Sequence, residues 1–249
     1  MPADRIAPDA VFKDLCLDAA DARALAAFWS AALGRELAAA GPGEWRVVPP
    51  SGGPESLGIW VDPVPEPRTA KTRVHLDLRL PSPDVTPLLT AGATLVREPG
   101  DDRHWWVLAD PDGNEFCAMP PAPPEWGIPA VDRPTPFELV VDSADPEAQA
   151  TWWAARTGGT AATRGGPTWW IEGAAGLPWP FWVFNAVPEP KTVKNRMHWD
   201  VVVGSHGPSA LLDAGARMIR ERGDGPDDTG WWVLADPEGN EFCAFLPAS

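Results

Sequence analysis

The chain has 249 residues, 44% of them hydrophobic and 22% charged, with a formal net charge of −15. Such acidity speaks against nucleic acid, whose phosphate backbone needs clustered Lys and Arg, and against an anionic membrane surface. Three Cys residues with no CxxC pair make no disulfide framework, and no apolar run is long enough for a signal peptide or a bilayer span, so a soluble, cytoplasmic, reducing setting is expected.

Taken in chain order, residues 1–10 read as a polar lead-in and Val11 to Asp18 as a strand. Asp21 is an N-cap for an amphipathic helix from Ala22 to Leu33, with Leu25, Phe28, Trp29 and Leu33 on one stripe and Gly34 as the stop. Glu44 to Val48 and Leu57 to Val61 are strand-like, and a Pro-rich link at Pro63 to Pro67 leads into a strong alternating strand, Arg73 to Leu80. Ser82-Pro83 predicts the start of a helix through Val85 to Leu89. Thr94 to Arg97 is extended, and Trp105 to Met119 is a hairpin around Asp110-Pro111-Asp112-Gly113-Asn114. Residues 120–134, with six prolines, form a stiff linker.

From Pro136 the series runs again. Trp231 to Ala244 repeats Trp105 to Ala118 with one Asp-to-Glu change, Lys194 to Asp200 echoes Lys71 to Asp77, and Val187-Pro188-Glu189-Pro190 copies Val64-Pro65-Glu66-Pro67. A repeat of about 124 residues is too long for a solenoid unit and fits two whole domains, 10–119 and 135–247, each reading as two βαβββ runs. Fifteen Trp residues and no Tyr exceed what two small cores need, so some Trp side chains are expected to line a cavity.

These landmarks resemble the vicinal oxygen chelate superfamily, the glyoxalase, bleomycin-resistance and extradiol-dioxygenase group. The carriers are Leu17-Asp18-x-x-Asp21 to Phe28-Trp29 and Leu33-Gly34, the strand Arg73-Val74-His75-Leu76-Asp77, the Asp110 to Asn114 turn, and their second copies. The resemblance implies an α+β fold of two tandem domains, each of paired βαβββ modules curving into a cup, with four side chains on the floor holding one divalent metal ion in metal-dependent members. Carried over by position, the ligands fall on Asp14, Asp62, His75 and Cys117, and in the second copy on Glu138, Asn185, His198 and Cys243. Cys117 and Cys243 depart from the family's Glu, which weakens the site for a hard cation.

Strand alternation adds its own reading. If Val74, Leu76, Leu78 and Leu80 pack under the helices, Arg73, His75 and Asp77 face the cup, as do Arg196, His198 and Asp200 in the second copy. His75 with Asp14 and His198 with Glu138 are the expected catalytic groups. Arg73, Asp77, Trp105, Arg196, Asp200 and Trp231 are the expected substrate contacts, and Asp14, Asp62 and His75 the expected metal ligands. Each His also reads as a buried residue held by a carboxylate for structural reasons. His104, which becomes Gly230 in the second copy, reads as an exposed loop residue. Two functions fit: a lyase or isomerase working beside a carbonyl through a His-carboxylate pair or metal, and a non-catalytic binder of a small aromatic or apolar molecule, of the drug-resistance or sequestration kind. A monomer or a homodimer is expected, because the duplicated half can take the role of a second subunit.

Overall fold

The computed structural model describes residues 7–101, 103–223 and 230–248; the lead-in at 1–6 lies outside them. The chain forms four modules. The first holds β1 (Ala10–Ala19), α1 (Ala22–Leu33), β2 (Leu37–Ala39), β3 (Trp45–Val47) and β4 (Ile59–Pro63). The second holds β5 (Val74–Arg79), α2 (Thr86–Ala91), β6 (Thr94–Arg97), β7 (Trp106–Ala109) and β8 (Glu115–Met119). The third holds β9 (Thr135–Ser143), α3 (Pro146–Thr157), β10 (Thr160–Ala162), β11 (Thr168–Glu172) and β12 (Phe181–Ala186). The fourth holds β13 (Met197–Val203), α4 (Ser209–Asp213), β14 (Arg217–Arg220), β15 (Trp232–Ala235) and β16 (Glu241–Phe245).

Local chemistry sets these boundaries. The Asp21 carboxylate accepts from the Ala24 N–H at 2.9 Å, and Gly34 closes α1 at φ 60°, where a β-carbon is costly. The second helix starts later than Ser82-Pro83 predicts. It begins at Thr86, after Val85, which makes no side-chain cap bond; Asp84 Oδ1 accepts the Thr86 N–H at 2.8 Å in the turn that leads in. In both hairpins the turn Asp is buried and fully used. Asp110 Oδ1 accepts the N–H groups of Asp112 and Asn114, Asp236 does the same for Glu238 and Asn240, and Gly113 and Gly239 supply the positive φ.

The modules form two eight-stranded sheets, β14-β15-β16-β13-β1-β4-β3-β2 and β10-β11-β12-β9-β5-β8-β7-β6. Within each module the first and last strands run parallel, and two modules join where their first strands pair antiparallel, β1 with β13 and β5 with β9. The α+β class and the paired βαβββ modules agree with the sequence. Their partners are exchanged between the halves: module one pairs with module four, and module two with module three. The linker at 120–134 therefore stays beside one sheet, carrying a 3-10 turn at Pro124–Trp126. The crossings are the repeated Val-Pro-Glu-Pro stretches after β4 and β12.

The two sheets enclose the helices. Trp153 of α3 lies 4.8 Å from the ring of Trp182 on β12 and 5.3 Å from that of Trp199 on β13, so it bridges both sheets. Phe28 of α1 lies 6.0 Å from Phe116 of β8, while α1 also packs on β3 and β4. Trp29, Trp153, Trp182 and Trp199 are fully buried, and each is worth about 3–5 kcal/mol against Ala. Much of the tryptophan excess is therefore core. Among the described residues no helix is long and apolar enough to cross a membrane.

Candidate functional site

The face of each sheet turned away from the helices carries the polar residues. On the β5/β9 sheet it opens into a cavity of about 490 Å³ lined by His75, Asp77, Cys117, Glu138, Trp105, Trp170 and Phe181, among others. The alternation that buries Val74, Leu76 and Leu78 under the helices turns His75 and Asp77 outward. His75 Nδ1 lies 2.6 Å from Asp77 Oδ1, and the same oxygen accepts the Cys117 N–H at 2.7 Å. The imidazole is thereby fixed in place, with Nε2 left for another partner. Burial pulls the His75 pKa down, but the charge and hydrogen bond of Asp77, helped by Asp142, outweigh it and leave the pKa raised. Glu138, opposite Asp77 in the strand register, is pushed up to about 8 by burial and by the Asp77 charge, against the pull of His75 and Arg79. The floor thus holds a carboxyl that keeps its proton well above the ordinary carboxylate range and an imidazole whose cation Asp77 stabilises. Trp105, Trp170 and Phe181 form the apolar wall, Phe181 lying 6.3 Å from Trp170 and 5.6 Å from Phe137. Lys71, which pairs with Asp142 at 3.2 Å, and Arg164 add positive charge to the lining.

The β1/β13 sheet presents the duplicated set differently. Asp14, in the place of Glu138, is paired with the ammonium of Lys13, whose Nζ also lies 4.4 Å over the Phe245 ring. Lys13 is skipped in the β1–β13 register, as Phe137 is skipped in β5–β9, so the same bulge carries a cation in one sheet and a phenyl ring in the other. Burial lowers the His198 pKa, and its Nε2 stands 3.7 Å from Asp200 Oδ1. Trp231 stacks on Phe245, their ring centres 5.4 Å apart.

Compared with known sequences, residues 14–119 and 138–245 each match the glyoxalase-like domain. The chain belongs to that family. Among solved structures, this glyoxalase-like chain is similar to glyoxalase I from Zea mays at 14% identity and a TM-score of 0.64, covering 94% of this chain and 92% of that one. It is also similar to a putative dioxygenase from Bacillus subtilis subsp. subtilis str. 168, at 10% identity and a TM-score of 0.60, covering 98% and 87%. A third likeness is the cppA protein from Streptococcus pneumoniae TIGR4, at 10% identity and a TM-score of 0.51 over 96% and 100%. No curated protein matches by sequence. These likenesses support the vicinal oxygen chelate fold and leave the chemistry to the site.

In this glyoxalase-like chain the expected residues are regrouped by the module exchange. His75 sits with Glu138, Asn185 and Cys117 on one sheet, and His198 with Asp14, Asp62 and Cys243 on the other. The expected pairs His75–Asp14 and His198–Glu138, and the ligand set Asp14, Asp62 and His75, are therefore not assembled, because β1 and β5 belong to different sheets. Arg73 and Arg196 lie in neither cup. Each crosses the junction between the sheets: Arg73 donates to Glu189 O at 2.8 Å, and Arg196 to Glu66 O at 3.0 Å and Asp112 Oδ2 at 3.1 Å. Asp62 is pushed up to about 6 by burial, with the charges of Glu44 and Asp18 behind it. The family's metal quartet fits neither regrouped set. A thiol replaces its last carboxylate in both, and the Lys13 ammonium pairs with Asp14, so a hard divalent cation lacks part of its oxygen set at these positions. Missed from sequence were the wall residues Trp170 and Phe181 of β11 and β12. Their aromatic richness was visible, but the cup they join was not.

Proposed function

We propose that the β5/β9 cup binds a small planar or apolar carbonyl compound and exchanges a proton at the carbon next to that carbonyl, as a lyase or isomerase does. The reading rests on one observation: a buried carboxyl with a pKa near 8 shares a 490 Å³ aromatic-walled cavity with an imidazole fixed by a carboxylate. Trp105, Trp170 and Phe181 hold the flat body of the ligand and exclude water. Ionised Glu138 takes the proton from the carbon. His75, protonated and oriented through Nδ1 by Asp77, donates a hydrogen bond from Nε2 to the carbonyl oxygen as negative charge develops there and keeps its proton throughout. Protonated Glu138 then returns the proton to the same or a neighbouring atom.

A panel of aryl ketones in D₂O tests this. The protein is expected to wash the α-proton signal out of at least one compound in NMR spectra and to show tryptophan quenching by it. Glu138→Gln should keep the quenching and stop the exchange. Quenching with no exchange at any pH supports instead the binder of the drug-sequestration kind, which the aromatic wall also favours. Neither quenching nor exchange removes the ligand from this cup.

A further inference from the structure

We infer that the β1/β13 sheet carries a metal site of the zinc class, built by Cys16, His198, Asp200 and Cys243 and separate from the ligand cup on the other sheet. Its donors differ from the family's carboxylate-rich quartet. On β1 the ligand is the thiol of Cys16 rather than Asp14, and Asp200 joins from β13.

The strand register brings the four together. Cys16 pairs with His198 across β1 and β13, and Asp200 pairs with Cys243 across β13 and β16, so all four lie side by side on the helix-free face. Ligand atoms of Cys16, His198 and Asp200 lie within 4.8 Å of one another. The Cys243 sulfur stands 3.6 Å from His198 Nε2, and Asp200 Oδ1 stands 3.7 Å from the same nitrogen. A tetrahedral zinc with ordinary bond lengths separates its ligand atoms by about 3.3 Å for a nitrogen–oxygen pair to about 3.8 Å for two sulfurs, so Cys16, His198 and Asp200 are near this spacing and the Cys243 side chain, outside that group, swings in to close the shell.

An independent feature points to a missing cation. Asp200 is 4% exposed; its carboxylate meets the weakly donating thiols of Cys16 and Cys243, and among the described residues its buried Oδ1 has no hydrogen bond of good geometry. Its counterpart Asp77 spends Oδ1 on two donors, His75 and the Cys117 N–H. A buried acceptor left unmatched is costly, and a metal bound among these donors gives that oxygen its partner. Two thiols select a borderline or soft ion over Mg²⁺ or Ca²⁺. Binding converts them to thiolates and releases their protons to solvent. Lys13, 3.9 Å from Asp200 Oδ2, offsets the surplus of negative charge. The other sheet has Val140 where Cys16 stands, which leaves it one donor short.

Cobalt titration of the metal-stripped full chain tests the site, alongside metal analysis of the protein as purified. One equivalent of Co²⁺ is expected to give a thiolate-to-cobalt charge-transfer band and the strong visible bands of a tetrahedral ion, and zinc should displace it. Cys16→Val copies the residue of the other sheet and so is expected to fold. It and Cys243→Ser should each lose about half of the charge-transfer band, and the double variant all of it, whereas Cys117→Ser should leave the band unchanged. The inference is overturned if Co²⁺ gives no charge-transfer band, if the band survives the double variant, or if Cys117→Ser removes it. The exchange assay on aryl ketones reads the other cup and can fail or succeed independently.

Discussion

The two cups began as copies and now hold the same His-x-Asp pair in two conditions. On β5, His75 and Asp77 are locked together at 2.6 Å and Asp77 also takes a backbone N–H. On β13, the imidazole turns Nε2 toward Cys243 and Asp200 Oδ1, at 3.6 and 3.7 Å, and that oxygen goes unpaired. The difference follows from neighbours rather than from the pair itself. Val140 and Phe137 around the first leave an apolar surround, whereas Cys16 and Lys13 around the second supply a thiol and a cation. Duplication preserves a frame, and two or three substitutions beside it decide the chemistry.

The largest separation between the cups is expected from their acids. Glu138→Gln removes the proposed proton-exchanging group and should lower exchange roughly 100- to 10,000-fold, while Asp14→Asn, whose carboxylate is tied to Lys13, should leave the rate unchanged. Equal loss in both variants, measured by deuterium incorporation, would contradict the division of labour drawn here. Next in size is stability. Asp77→Ala strands the Cys117 N–H and the His75 ring nitrogen, at a cost of about 1–3 kcal/mol for each buried donor left unpaired. Asp200→Ala in metal-free protein strands no donor at Oδ1 and should cost less than Asp77→Ala or stabilise. Urea unfolding of the two variants side by side decides it, and a cost for Asp200→Ala equal to that for Asp77→Ala would mean that the orphan oxygen has a partner in solution.

Much of this was legible in the sequence, for definite reasons. Cap and turn residues act locally, so Asp21, Gly34 and the Asp110 and Asp236 hairpins marked their elements almost to the residue. Alternation along β5 and β13 set the facing of His75, Asp77, His198 and Asp200, because the pleat has a period of two. Which module pairs with which was not legible. Either assembly buries the same apolar faces, and the choice lies in the crossings after β4 and β12, residues 64–73 and 187–196, which differ at only three of ten positions. For that reason Asp14 was grouped with His75; Arg73 and Arg196 were placed in cups by extending the alternation, although each lies one residue before its strand. In fact they grip the opposite crossing, at Glu189 and Glu66. Ser82 was expected to cap the second helix, which instead begins at Thr86, past a turn that Asp84 closes.

The finest test converts one cup toward the other. Phe137 and Lys13 occupy the same bulge, so Phe137→Lys should set an ammonium beside Glu138 as Lys13 sits beside Asp14. The opposite charge should pull the Glu138 pKa from about 8 back toward its ordinary value by about 1–2 units. The pH at which proton exchange reaches half its maximum should then move down by the same amount. Stability changes with a definite sign. A carboxyl whose folded pKa lies above its unfolded value of 4.5 adds stability that is fully present below 4.5 and is lost as pH rises through about 8. The wild-type melting temperature should therefore fall across that window, the Phe137→Lys protein should fall over a narrower and more acidic range, and Glu138→Gln should lack this component. The lysine also forfeits the Phe137 contacts with Phe181 and Arg79, a uniform loss of about 1–3 kcal/mol that lowers the whole curve without tilting it. A parallel drop with the wild-type slope intact would show that the bulge does not govern the acid, and that the difference between the cups is set elsewhere on their floors.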